Sequence, residues 1–154
     1  MSTSRNDSLS ALLPGTWLLK SRIDVTASGD RYPDPLLGED PVALLVYDRS
    51  GHFCAQFMKR VRSGAPREAA SGAANNTQAQ GGYDAYFGTY SVDDTTQTVT
   101  QRLLGAIVAA NVGMTLTRAM SVRGNTLVIQ LQTAAADGTP VTRTLTWERL
   151  ADAA

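Results

Sequence analysis

Turn spacing constrains this chain more than any other feature. Eight stretches alternate Val, Ile, Thr, Leu and Tyr with polar residues, the period of a half-buried strand. They cover about Thr16–Val25, Val42–Asp48, His52–Arg60, Tyr86–Val92, Thr98–Leu104, Gly113–Val122, Thr126–Thr133 and Val141–Arg149. Asp48-Arg49-Ser50-Gly51, Asp93-Asp94-Thr95-Thr96-Gln97 and Arg123-Gly124-Asn125 are short, polar connections of hairpin composition. The connections between them are longer, the first running through Pro33, Pro35, Gly38 and Pro41. In a meander successive connections alternate between two ends, so every long loop falls at the same end. This order predicts an all-β fold, an eight-stranded antiparallel up-and-down β-barrel with a tightly turned floor and a loop-ringed mouth. A barrel of that size either fills with its own side chains or encloses one small ligand.

One domain over residues 1–154 is expected, since a chain of this length suits a single core. Residues 1–13 form an N-terminal cap, with a short helical turn at about Ser8–Leu13 closing one end. The long segment 61–82, rich in Ala, Gly, Ser and Asn, is expected at the mouth as a mobile loop or a short helix around Pro66–Ala70. Lys plus Arg and Asp plus Glu are equal at 14 each, and neither sign forms a stripe, so nucleic acid is not an expected partner. No apolar run has the length of a membrane span or the character of a signal peptide, and the expectation is a soluble cytoplasmic protein. A single cysteine, Cys54, and a single histidine, His52, offer neither an internal disulfide nor metal-ligand spacing, so no metal and no cofactor are expected. His52 follows a floor turn and reads as a surface residue.

Residues two apart on a strand share a face. By that parity Arg118 stands among Met114, Leu116, Met120 and Val122 on an apolar face, where a guanidinium needs a partner. It is either a clamp for a ligand carboxylate, enolate or carbonyl, or a structural residue in an internal ion pair or stacked on Trp17. Gln101, between Val99 and Leu103, is expected inside, as ligand contact or structural hydrogen bond. Tyr86 and Tyr90 share a face with Gly88, and Tyr47 lies near the floor, read chiefly as core packing. Strands three and four leave their inward faces open: Phe53, Ala55 and Phe57 compete with Cys54, Gln56 and Met58, and Gln56 stays a pocket candidate. On the first strand, parity puts Trp17, Leu19, Ile23 and Val25 on one face and Lys20, Arg22 and Asp24 on the other. Asp24 and Glu148 are therefore expected outside, and with no carboxylate inside, a paired-carboxylate hydrolase is not expected.

Gly15-Thr16-Trp17 resembles the Gly-x-Trp signature of lipocalins and the wider calycin superfamily, in which an arginine at the last strand packs across that tryptophan. Arg149, in Trp147-Glu148-Arg149, stands at the matching position. The chain further resembles the bacterial and fungal lipocalin-like domain proteins through Leu37-Gly38-Glu39-Asp40-Pro41, Tyr47-Asp48-Arg49-Ser50-Gly51, Tyr86-Phe87-Gly88-Thr89-Tyr90 and Arg118. Where that group often carries a histidine on the fifth strand, Gln101 stands here. The resemblance implies the barrel strongly and the activity hardly at all.

The leading functional expectation is a module binding a small, mostly apolar molecule inside the barrel, oriented by Arg118, Gln101 and a tyrosine. The alternative is a cofactor-independent cyclase or isomerase acting on a hydrophobic, polyketide- or terpenoid-like intermediate in the same pocket, with Tyr86, Tyr90 and Arg118 as catalytic candidates. A homodimer is the further partnership left open.

Overall fold

Each of the eight alternating stretches is a strand in the computed structural model, which describes residues 8–60, 77, 79–135 and 137–151. The strands are β1 (Gly15–Thr26), β2 (Val42–Tyr47), β3 (His52–Met58), β4 (Tyr83–Asp93), β5 (Thr98–Ala106), β6 (Thr115–Arg123), β7 (Thr126–Ala134) and β8 (Pro140–Arg149). Each pairs antiparallel with its neighbours in sequence, and β8 returns to β1, closing the barrel. The helical turn α1 (Leu9–Leu12) precedes β1, with the Ser8 side chain accepting from the Ala11 amide as its N-cap. Ser10 ties α1 to the β4–β5 turn through its amide and hydroxyl, which donate to Asp94 at 2.8 and 2.6 Å. The helix expected around Pro66–Ala70 lies outside the described residues.

The floor is filled. Leu9 and Leu13 descend from α1 onto Trp17, and Val99, Leu103, Leu116 and Leu127 complete a fully buried apolar layer. Trp17 donates its indole N–H to the Leu13 carbonyl at 3.0 Å, and the Arg149 guanidinium lies 4.3 Å from its ring centroid. Arg149 also donates to the Pro14 and Leu12 carbonyls at 2.9 and 2.5 Å. Gly15 has φ +148°, and a β-carbon there would stand 2.6 Å from Arg149 Nη1. The glycine before Trp17 thus makes room for the arginine that covers it.

Two irregularities decide which side chains face inward. The β1–β8 register slips between Leu19 and Ser21, adding one residue to β1. A one-residue slip exchanges the faces of everything beyond it. Below the slip Trp17 is inside, as expected; above it the expectation is overturned, with Arg22 and Asp24 buried and Ile23 exposed. The second slip, between Phe87 and Gly88, lets β5 carry an extra residue opposite β4. There Gly88 lies so close to β5 that a β-carbon would stand 1.8 Å from the Arg102 carbonyl oxygen.

Candidate functional site: a cavity between the floor and the mouth loops

Above the filled floor the barrel interior becomes polar. Arg143 stands on the inward face of β8 with Val141, Leu145 and Trp147. Asp24 is its register partner on β1. Arg143 Nε and Nη2 donate to the two Asp24 oxygens, each at 2.9 Å, with side chains 7% and 5% exposed. Two residues deeper on the same face of β1, Arg22 donates to Asp34 Oδ2 at 3.1 Å, and Arg143 lies 3.9 Å from the same oxygen. Asp34 belongs to the β1–β2 connection, so this bond draws a mouth loop over the barrel and carries Leu37 into the core. Asp84, near the start of β4, is a third inward carboxylate; its Oδ2 accepts from the Thr77 hydroxyl at 2.5 Å. The sequence expectation of an interior without carboxylates is therefore corrected. Asp24 was hidden by the slip in β1, Asp84 by a strand that begins three residues before the expected Tyr86, and Asp34 by its place in a loop.

Arg22, Asp34, Asp84 and Arg143 border a cavity whose walls also include Leu45, Tyr47, Phe57, Tyr86, Gln101, Arg118, Ile129, Leu131, Leu145 and Trp147, with Asp24 behind Arg143. Leu37, Thr77 and Ala79 cover it on the mouth side. The space among these atoms is about 560 Å³, open solvent included, yet a water-sized sphere can be centred in only about 40 Å³ of it. It is a narrow cleft between side chains, with room for a few waters or a compact molecule.

Four of the expected site residues meet here and two do not. Tyr47, Tyr86, Gln101 and Arg118 line the cavity. Gln101 Nε2 donates to the Tyr47 hydroxyl, and Arg118 Nη1 donates to the Thr117 carbonyl at 3.1 Å. Arg149, rather than Arg118, occupies the face of Trp17. Tyr90 points inward but toward the floor, donating to the Asp48 carbonyl at 2.6 Å and meeting Tyr47 edge-on at 4.8 Å between centroids. Gln56 is corrected as a pocket residue: β3 turns Phe53, Ala55 and Phe57 inward, leaving Gln56 exposed and accepting from the Tyr83 hydroxyl at 2.5 Å. His52 is exposed, its Nδ1 2.8 Å from Ser50 Oγ.

Electrostatics follow from burial. Desolvation pushes the Asp84 carboxyl up to about 6, against the opposing pull of the Thr77 hydroxyl, the Ala85 amide and the charges of Arg22 and Arg143. Burial and then the Asp84 charge push the Tyr86 phenol up to about 12. Tyr47 is driven higher still, by burial first, so both phenols are hydrogen-bond donors rather than bases. Two polar atoms on the cavity walls, Asp84 Oδ1 and Trp147 Nε1, are buried with no hydrogen-bond partner among the described residues.

The profile of the lipocalin-like domain family matches residues 14–150. The chain belongs to this family. The match begins one residue before Gly15 and ends one residue after Arg149, so it spans the whole lipocalin-like barrel and its cavity. Among curated proteins none matches. Among solved structures, the crystal structure of Rv2717c from M. tuberculosis is similar at 16% sequence identity over 93% of this chain and 97% of that one. Its TM-score of 0.39 is too low for that likeness to bear on the site. No helix among the described residues is long and apolar enough to cross a membrane. A lipocalin-like barrel with an internal cavity is a small-molecule-binding architecture in general terms.

Proposed function

We propose that this lipocalin-like protein binds one compact, uncharged molecule in the cleft, its apolar body against Phe57, Leu145 and Ile129 and its polar group among the donors of the wall. The observation that carries this reading is the pair of unpartnered buried atoms on that cleft, the Trp147 indole N–H and the Asp84 oxygen. Buried polar atoms in folded proteins are almost always paired, and each one left unmade costs about 1–3 kcal/mol. A ligand offering an acceptor to the first and a hydrogen to the second recovers that cost.

Neutrality of the ligand follows from the balance of charges within the wall. Arg143 faces Asp24, Arg22 faces Asp34, and the charges of Arg118 and Asp84, both on the cavity lining, are opposite in sign, so a ligand carboxylate would upset that balance. The sequence expectation of a mostly apolar ligand is narrowed accordingly to a small amphiphile, and the narrow space disfavours a long folded chain.

The test is fluorescence and calorimetric titration with cyclohexanone, cyclohexanol and cyclohexanecarboxylate. Saturable binding of the ketone or alcohol, weakened by Trp147→Phe, supports the reading. Preference for the carboxylate, or no binding of any of the three, contradicts it.

A further inference from the structure

Asp84 differs from the other carboxylates of the wall. Both Asp24 oxygens hold Arg143. Asp34 holds Arg22 with one oxygen and the Leu36 amide with the other. Asp84 is fixed at Oδ2 by Thr77 and leaves Oδ1 unpartnered among the described residues, on a side chain whose residue is 5% exposed. A carboxylate held by one oxygen and bare at the other, in a covered cleft, has the geometry of a general base.

The opposite wall supplies what a base of this kind needs. β4 and β8 stand four strands apart in the closed ring of eight, and Asp84 and Trp147 line the same cavity. Phe57 lines that cavity too: it is the register partner of Asp84, and its ring stands 5.7 Å from that of Trp147 in an edge-on contact. The Trp147 N–H is a donor without a partner among the described residues, and the Tyr86 hydroxyl adds a second donor two residues from Asp84 on the same face. Donors fixed before reaction, in a site shielded from water, stabilise oxygen charge that develops during it.

We propose that Asp84 is the general base of a cofactor-free isomerase site that moves a proton within a compact, neutral, unsaturated carbonyl compound. This rests on the binding reading above. Asp84 Oδ1 takes the proton from the carbon between the carbonyl and the double bond. That C–H bond breaks, its electron pair passes into the carbonyl system, and the resulting dienolate oxygen accepts from the donors of the wall. Asp84 then returns the proton to the far carbon, a new C–H bond forms there, and the double bond moves into conjugation. Nothing is oxidised or reduced and no co-reactant is consumed. The groups whose charge bears on Asp84 are Arg22 of β1, Arg143 of β8 and Tyr86 of β4, and its carboxyl, raised to about 6, is ionised at neutral pH while still basic enough to accept a proton.

The experiment offers the β,γ-unsaturated isomer of cyclohexenone to the folded protein and follows the absorbance of the conjugated product, with cyclohexanone binding measured in parallel. Expected are turnover that rises with pH to a plateau above about 6, and a loss of turnover of at least about 100-fold in Asp84→Asn, compared at saturating substrate so that any change in affinity is read separately from the cyclohexanone titration. Binding without turnover, or an Asp84→Asn protein as active as the parent, overturns the base and leaves the binding reading standing. Absence of both binding and turnover overturns the two together. Should Asp84→Asn not fold, the parent's pH profile decides: a rate that does not change between about pH 5 and 7 overturns the proposal.

Discussion

Arg143 holds Asp24 through two parallel hydrogen bonds of 2.9 Å inside the barrel wall, across the β8–β1 seam that closes the cylinder. A buried pair of this kind adds little net stability over an apolar substitute, but removing Asp24 strips the buried Arg143 charge of its bidentate partner. Asp24→Asn is expected to destabilise the fold by about 3–5 kcal/mol. The paired change Asp24→Leu with Arg143→Met is expected to cost less than the sum of its parts. Urea unfolding of Asp24→Asn, of Asp24→Leu and Arg143→Met singly, and of the double variant measures both quantities.

Asp84 contributes to stability with the opposite pH dependence from an ordinary surface carboxylate. Its carboxyl lies near 3.8 when unfolded and at about 6 when folded, so between those values the native chain binds the extra proton. Stability from this group is complete below about pH 4 and is lost as pH rises through about 6, a change on the order of 2–3 kcal/mol. Asp48, Asp94 and Asp137 act the other way, held below the usual range chiefly by the His52 amide, the Ser10 hydroxyl and the Tyr32 hydroxyl respectively. The difference between parent and Asp84→Asn unfolding free energies across pH isolates the Asp84 contribution. A difference that does not vary between about pH 4 and 6 contradicts the burial described for it.

Arg149 joins α1, β1 and β8 at the floor, with its guanidinium over Trp17 and two hydrogen bonds to backbone carbonyls. Arg149→Lys is expected to lower stability by about 1–3 kcal/mol, because an ammonium reproduces the charge but not the planar, stacked fork. Thermal melting, read beside Arg149→Ala, checks this; a lysine variant as stable as the parent contradicts it.

Gly88 is expected to tolerate no side chain. A β-carbon there meets backbone on β5 rather than a movable side chain, so Gly88→Ala forces the β4–β5 register apart and costs at least roughly 1–3 kcal/mol. Amide exchange across β4 and β5 reads the effect locally.

Much of the fold was legible because strand period and turn length are local properties. The β2–β3, β4–β5 and β6–β7 turns announced themselves by composition, and their alternation with longer connections implied the closed meander. The inward faces of β5 and β6 followed from parity, which placed Gln101 and Arg118 correctly on the wall. Parity failed on β1, since a single inserted residue reverses it and no composition cue at Leu19-Lys20-Ser21 marks the slip. One signal for the hidden carboxylates was present in the sequence. Arg143 alternates with Val141, Leu145 and Trp147, so its guanidinium, like that of Arg118, stands on an apolar face and needs a partner. An inward acid on a neighbouring strand is the simplest such partner. Asp34 and Thr77 had no such signal, because loops drawn over a barrel are placed by tertiary contacts and not by period.

The two tryptophans allow the cavity to be read directly, since the Trp17 indole N–H is already bonded to the Leu13 carbonyl while that of Trp147 has no protein partner among the described residues. In a proton–nitrogen correlation spectrum each gives its own indole signal. On titration with cyclohexanone, the Trp147 signal is predicted to move downfield and saturate as its N–H meets the ketone oxygen, while the Trp17 signal stays in place. Equal movement of both signals, or movement of neither while the ketone binds, would contradict a ligand seated in the barrel against Trp147.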